Sequence, residues 1–176
     1  MLSRAPEVVL MGDARVSDVL VQDCGEPLVT TREALTASAY LERDGDEGSR
    51  WVRSNIRDRL VRAAEMLSPA YTLALEEGWR PLAVQSQAFD RQVQRLTAAY
   101  PDAPLDRWRR LASRFVSPPE VAPHPTGAAV DVLLLGPDGQ EVDMGCPIDT
   151  DPEDSAGFCY TDHPDVPQTA ETRALR

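Results

Sequence analysis

Residues 120–135 read EVAPHPTGAAVDVLLL, and this stretch joins a proline-rich loop to an apolar run that predicts a β-strand. His124 in the loop is one of only two histidines in the chain, and Asp131 interrupts the apolar run seven residues later. A carboxylate within a strand must be exposed at an edge, paired, or bound to a metal ion, because burying it unpaired costs several kcal/mol. We expect the glycine turn at residues 126–128 to let the two side chains converge.

A nitrogen ligand from His124 and an oxygen ligand from Asp131 would suit Zn²⁺. This spacing is unspecific by itself, so the alternative is a capped turn that carries a surface histidine. The other histidine, His163, is flanked by acidic residues and proline. It fits an exposed loop better than a metal site.

The composition predicts one globular domain. The chain has 176 residues, of which 42% are apolar and 27% are charged. Its net charge of −11 opposes binding to phosphate backbones and anionic membranes, so we expect neither nucleic acid nor membrane as a partner. The apolar run at residues 8–11 is too short for a signal peptide. The three cysteines are odd in number and lack a CxxC pair, which indicates reduced thiols and a cytoplasmic protein.

The middle of the chain alternates between helical and strand patterns. Apolar residues at helical spacing predict an amphipathic helix over residues 49–68, including Val52. Tyr71, Leu73 and Leu75 alternate as in a half-buried strand, which a turn at residues 78–81 should end. The next helix begins after Pro81 and carries an apolar stripe near Val84, Ala88 and Leu96, with Phe89 and Val93 beside it. A third helix spans residues 105–115.

The second half predicts a hairpin. Residues 128–135 form a strand, residues 137–139 a turn, and residues 140–145 an antiparallel return. Only short strands are predicted in residues 1–47, and residues 168–176 begin a helix. Together these elements predict a single α+β domain over residues 1–176, with a central antiparallel sheet flanked by helices.

Two further residues could carry chemistry. Arg80, in EEGWRP, follows a predicted strand, where it could clamp a carboxylate or stabilise an oxyanion. The alternative is a surface ion pair with Glu76 or Glu77. Asp149 lies in the acidic segment CPIDTDPED, whose ordinary role is solvation or helix capping.

Several blocks of sequence together resemble the zinc D-alanyl-D-alanine dipeptidases of the vancomycin-resistance type. They are, in order, EGWRPLAVQ, FDRQV, RFVSPPEVAPHPTGAAVDVLLL, GQEVDMGCPID, YTDHP and ETRALR. The likeness covers residues 49–176, whereas residues 1–47 match poorly. It implies an enzyme of cell-wall metabolism that hydrolyses the small dipeptide D-alanyl-D-alanine with Zn²⁺ as cofactor.

The resemblance also implies roles for individual residues. His124 and Asp131 fall on the zinc ligands of the H-x-x-G-x-A-x-D pattern, and Arg80 falls on the arginine that steadies the tetrahedral transition state. Asp149 falls on the aspartate that holds the substrate's free amino group. Ala122 replaces the family's serine two residues before the histidine, which removes one substrate hydrogen bond.

The largest departure concerns a Glu-x-x-His motif that supplies the family's catalytic base and third zinc ligand. It does not occur in the sequence, and the family has it beyond the helix that begins near Arg173. We expect a missing C-terminal part, since the sequence stops inside that helix. The alternatives are a partner subunit or second copy that completes the site, and an inactive short relative that binds a peptide or a protein. A D,D-carboxypeptidase or another peptidoglycan peptidase is the related enzymatic alternative.

Overall fold

The computed structural model describes residues 9–20, 22–37, 47–67, 69–102, 104–147, 150 and 154–155. The helices are α1 (Ala14–Ser17), α2 (Ser54–Met66), α3 (Leu82–Ala99) and α4 (Leu105–Ala112). The strands are β1 (Leu28–Thr30), β2 (Thr36–Ala37), β3 (Trp51–Arg53), β4 (Thr72–Glu77) and β5 (Asp131–Leu135). Two 3₁₀ turns, Glu47–Arg50 and His124–Thr126, precede β3 and β5.

The architecture is α+β, as the sequence predicted. Strand β4 lies at the centre of a three-stranded sheet of order β2-β4-β5, and β1 pairs with β3 in a separate antiparallel ribbon. β5 is antiparallel to β4, but β2 is parallel to it. The central sheet is therefore mixed rather than antiparallel throughout. The chain between β2 and β4 passes through β3 and α2, and such a crossover returns the chain in its original direction.

The predicted hairpin turn after β5 is confirmed, but the returning segment is shorter than predicted. The backbone N–H of Gly136 donates to the carbonyl of Gln140 at 2.8 Å, and the N–H of Val142 donates to the carbonyl of Leu134 at 2.8 Å. The returning segment makes a single antiparallel bridge, Leu135 to Glu141, within the described residues. It therefore follows β5 without forming a full strand.

The buried apolar side chains come from every layer of this arrangement. They are Val52, Leu60, Ala74, Leu75, Phe89, Ala112, Ala122 and Leu134. Burial of a large apolar side chain typically contributes about 1.5–3 kcal/mol. Ala74 and Leu75 are adjacent in β4 and are 0% and 1% exposed, so both faces of the strand are covered at this point. The half-buried strand predicted from alternation is therefore more deeply buried than expected.

Two helical predictions need correction. Val52 belongs to β3 rather than to the following helix, because residues 51–53 pair with β1 in the register Val29 to Val52. In α3 the buried residues are Gln85 and Phe89, whereas Val84 is 45% exposed. The buried amide of Gln85 is hydrogen-bonded at both ends, so this polar residue rather than Val84 faces the interior.

Within the described part of the chain, no helix combines the length and the apolar character that crossing a bilayer would require.

Candidate metal centre

The antiparallel pairing of β4 and β5 brings two carboxylates to one end of the sheet. Glu77 is the last residue of β4, Asp131 is the first residue of β5, and their Cα atoms are register partners. The register shifts between Leu75 and Glu77, which indicates a β-bulge or a similar irregularity next to the site. Such irregularities often re-aim a side chain beside a functional site.

The loop that carries His124 closes on a left-handed glycine. Gly127 has φ 73°, and its N–H donates to the carbonyl of His124 at 3.0 Å. A Cβ at this position would lie 2.3 Å from Cδ2 of Leu28. Only glycine adopts this conformation without strain and also leaves room for Leu28.

The GWRP turn after β4 holds this loop in place. Nε1 of Trp79 donates to the carbonyl of Pro125 at 3.0 Å, and Nδ1 of His124 lies 2.9 Å from the carbonyl oxygen of Gly78. A carbonyl oxygen can only accept, so Nδ1 donates, and in the neutral imidazole Nε2 then offers a lone pair. A Cβ on Gly78 would lie 2.6 Å from the carbonyl oxygen of Trp51, so the turn depends on a glycine.

His124 and Asp131 converge, as the sequence predicted. Nε2 of His124 lies 3.5 Å from Oδ2 of Asp131, and the two side chains are 15% and 55% exposed. Two ligand atoms bound to one tetrahedral zinc ion lie about 3.4 Å apart. Their separation therefore fits a shared ion, whereas their role as metal ligands stays a prediction.

Glu77 completes a group of three side chains with metal-ligand atoms. One ligand atom from each of Glu77, His124 and Asp131 lies within 4.8 Å of the other two. One imidazole nitrogen and two carboxylate oxygens form a donor set that zinc accepts. The orientation of His124 by the Gly78 carbonyl is also typical of metal-binding histidines. The residues present thus fit the ion that the resemblance implies.

Arg80 lies beside this group and is held from two sides. Nε of Arg80 donates to Oε1 of Glu77 at 2.6 Å, and Nη2 donates to Oε2 of the same carboxylate. Nη1 donates to Oε1 of Gln85 at 2.8 Å, and Nε2 of Gln85 donates to the carbonyl of Ser117 at 2.7 Å. The ion pair expected as an alternative does form, with Glu77, but it lies within the candidate site rather than on an unrelated surface. The catalytic role of Arg80 stays a prediction.

Other residues singled out in the sequence have different outcomes. Asp149 and His163 lie outside the described residues, so their roles remain predictions. Ala122 is 5% exposed and contributes an apolar surface where the family has a serine. Cys24 and Cys146 are free thiols, and Cys159 lies outside the described residues.

Glu77 and Gln85 were missed as site residues. In the sequence, Glu77 is one of two consecutive glutamates before the GWRP turn, and nothing local indicates which of them faces Asp131. Gln85 lies five residues after Arg80 in a helix that has eight other polar or charged residues, so nothing local indicated that this one is buried.

Comparison with known proteins supports the resemblance over most of the chain. A D-alanyl-D-alanine dipeptidase from Synechocystis sp. (strain ATCC 27184 / PCC 6803 / Kazusa) is 30% identical over 154 residues, which cover 73% of this chain. The chain spans 61% of the length of that relative. No protein-family model matches. Among solved structures, the LdcB LD-carboxypeptidase is similar with a TM-score of 0.45 and 21% identity, covering 73% of this chain and 54% of the other.

The order of motifs in the sequence and the 30% identity to the Synechocystis dipeptidase both indicate similarity to the same kind of enzyme. Over the matched region, the chain is therefore similar to a D-alanyl-D-alanine dipeptidase.

Proposed function

We propose that this chain acts as a zinc-dependent peptidase of cell-wall metabolism that hydrolyses D-alanyl-D-alanine. The observation that carries the proposal is the convergence of His124 and Asp131, whose Nε2 and Oδ2 atoms lie 3.5 Å apart beside the Arg80 guanidinium. The similarity to the D-alanyl-D-alanine dipeptidase from Synechocystis adds support, because the matched region includes most of this chain.

In this proposal His124 and Asp131 hold the zinc ion. When bound, the ion acts as a Lewis acid on the peptide carbonyl and lowers the pKa of its bound water to about 7. The hydrogen bond from Nδ1 of His124 to the Gly78 carbonyl orients the imidazole before any ion arrives. Such preorganisation reduces the cost of assembling the site.

Arg80 would stabilise the negative charge that develops on the carbonyl oxygen. Glu77 and Gln85 fix its guanidinium, so little reorientation is needed when that charge appears. Asp149 would bind the substrate's ammonium group, as the resemblance implies. The resemblance assigns proton transfer to the glutamate of a Glu-x-x-His motif that is absent from the sequence, so an assay must distinguish an enzyme from an inactive peptide-binding relative.

A D,D-carboxypeptidase that acts on longer peptidoglycan peptides is the second candidate. It is favoured by the exposure of Asp131, whose side chain is 55% exposed in the part of the chain that the structure describes. A site open at this ligand has room for a substrate that extends beyond two residues.

We further propose the cytoplasm as the compartment, which the free thiols of Cys24 and Cys146 support.

The test measures zinc content and hydrolysis together. The purified chain should bind one equivalent of Zn²⁺ and release D-alanine from D-alanyl-D-alanine, with L-alanyl-L-alanine as the stereochemical control. His124→Ala and Asp131→Asn should lose both properties, whereas Asp58→Asn on α2 should retain them. Faster cleavage of a muropeptide that ends in D-alanyl-D-alanine would favour the carboxypeptidase. Stoichiometric zinc without any cleavage would contradict catalysis by this chain while leaving the metal site intact, and absence of zinc binding would contradict the proposed metal site.

A further inference from the structure

We propose that Glu77 is a third protein ligand of the ion held by His124 and Asp131, and that it joins this ion to Arg80. The inference rests on the proposed metal site and deepens it. It concerns a residue that neither the motif pattern nor the spacing of the sequence singled out as a ligand.

The strand register places Glu77 beside the two predicted ligands. Glu77 and Asp131 are Cα partners across β4 and β5, so their positions are set by backbone pairing rather than by a mobile loop. Ligand atoms of the three residues lie within 4.8 Å of one another, and a tetrahedral zinc ion requires about 3.4 Å. A change in the Glu77 side-chain rotamer can supply the remaining movement of at most about 1.4 Å.

The ion pair with Arg80 is compatible with metal binding. Both Glu77 oxygens accept hydrogen bonds from Arg80. A carboxylate has about four lone-pair sites, so a bidentate arginine leaves positions on the same oxygens for a cation. The guanidinium also fixes the orientation of the Glu77 carboxylate, which a metal ligand needs.

The charges support this arrangement. The carboxylates of Glu77 and Asp131 together neutralise a divalent ion, so the positive charge of Arg80 remains to act on the substrate. Because one carboxylate contacts both the ion and the guanidinium, it would set the distance between the two groups that act on the scissile carbonyl. The alternative is that Glu77 only clamps Arg80 and never contacts the ion.

The experiment compares Glu77→Gln with Glu76→Gln, an adjacent substitution that removes the same charge from the same strand. Zn²⁺ affinity is measured by competition with a chelating dye, and the coordination of Co²⁺ is measured from its visible absorption spectrum. We expect Glu77→Gln to weaken Zn²⁺ binding by at least about 100-fold and to change the Co²⁺ spectrum. Removing a residue that only hydrogen-bonds a ligand typically weakens metal binding by about 10- to 100-fold, so the expected loss lies at or above that range. Glu76→Gln should leave the affinity within about twofold and the spectrum unchanged.

An unchanged Co²⁺ spectrum in Glu77→Gln would overturn the proposal, whatever its affinity, because it would show that Glu77 is no ligand. The proposed metal site would survive that result, since its own test is zinc binding by the wild-type chain and its loss in His124→Ala. Should Glu77→Gln fail to fold, a crystal structure of the wild-type chain with Zn²⁺ decides. A Glu77 oxygen 2.0–2.2 Å from the ion supports the proposal, and a larger separation overturns it.

Discussion

Nη1 of Arg80 donates a 2.8 Å hydrogen bond to Oε1 of Gln85, a side chain of α3 that is only 2% exposed. The other end of the Gln85 amide donates to the carbonyl of Ser117 at 2.7 Å, at the start of the loop that leads to His124. One buried amide thus connects the guanidinium to the loop that carries the candidate zinc ligand. Gln85 is therefore a positioning residue for Arg80.

Gln85→Leu should lower both stability and turnover. Leucine has a similar volume but leaves the Ser117 carbonyl without its amide donor and Arg80 without its amide acceptor. An unsatisfied buried polar group costs about 1–3 kcal/mol, and we expect a loss of unfolding free energy in that range. Denaturant unfolding checks this value, and zinc binding should persist. Gln94→Leu, on an exposed position of the same helix, is the control and should change neither property.

Arg80→Lys should reduce turnover without removing zinc. Lysine keeps the positive charge but lacks the planar fork that engages Glu77 through two nitrogens. Loss of one donor to a developing oxyanion typically costs about 10²- to 10³-fold in kcat, and we expect a decrease of that size. Steady-state kinetics and metal analysis together provide the measurement. Arg57→Lys on α2 is the matched control, and an Arg80→Lys variant with wild-type kcat would contradict the proposed role.

Gly127→Ala should weaken zinc binding as well as stability. Alanine at φ 73° is strained by roughly 1–2 kcal/mol, and its Cβ would also lie 2.3 Å from Leu28. The Leu28 side chain and the strained turn share the displacement that relieves this contact, and we expect the part taken by the turn to move His124 relative to Asp131. Gly139→Ala is a close control because Gly139 has the same φ of 73° and no atom within 4 Å of the added Cβ. It should show only the conformational cost, and equal zinc affinity in the two variants would refute this prediction.

The carboxyl group of Asp23 should contribute stability that depends on pH. The backbone N–H of Gly25 donates to it at 2.8 Å and Nη2 of Arg53 donates at 2.9 Å, which together lower its pKa below the ordinary value of 3.8. Since the folded-state pKa is the lower one, the contribution is complete above the unfolded-state pKa of about 3.9 and is lost as pH falls through the folded value.

Carbon-detected NMR titration of the Asp23 carboxyl group measures this pKa directly. We expect Asp23→Asn to lose less stability between pH 5 and about pH 2 than the wild type does, because it has no such group to protonate. Arg53 also donates from Nε to the carbonyl of Thr126 at 2.7 Å, so this contact borders the His124 turn. A titration midpoint at or above the ordinary value would show that the two hydrogen bonds do not favour the charged form.

Local patterns were sufficient where local chemistry determines structure. Prolines 118, 119, 123 and 125 restrict the loop, Gly127 permits its left-handed turn, and the apolar run from Val132 to Leu135 favours a strand. The prediction that His124 and Asp131 converge followed from these features. It was confirmed because the turn and the strand are adjacent in sequence and little chain separates them.

Secondary structure and strand pairing were predicted less accurately where they depend on segments that are distant in sequence. Val52 fits the helical spacing of the residues after it, but its pairing with Val29 in β1 places it in a strand. The parallel pairing of β2 with β4 depends on the path of the chain through β3 and α2. Neither partner lies close enough in sequence for a local pattern to indicate the pairing.

By itself, the sequence determined an α+β domain, a glycine turn between His124 and Asp131, and the resemblance to the D-alanyl-D-alanine dipeptidases. Only the tertiary structure decided that Glu77, rather than Glu76, faces Asp131, and that Gln85 is buried against Arg80. The physical reason is that strand register and helix rotation are set by contacts between segments far apart in the chain, and these contacts have no signature within either segment alone.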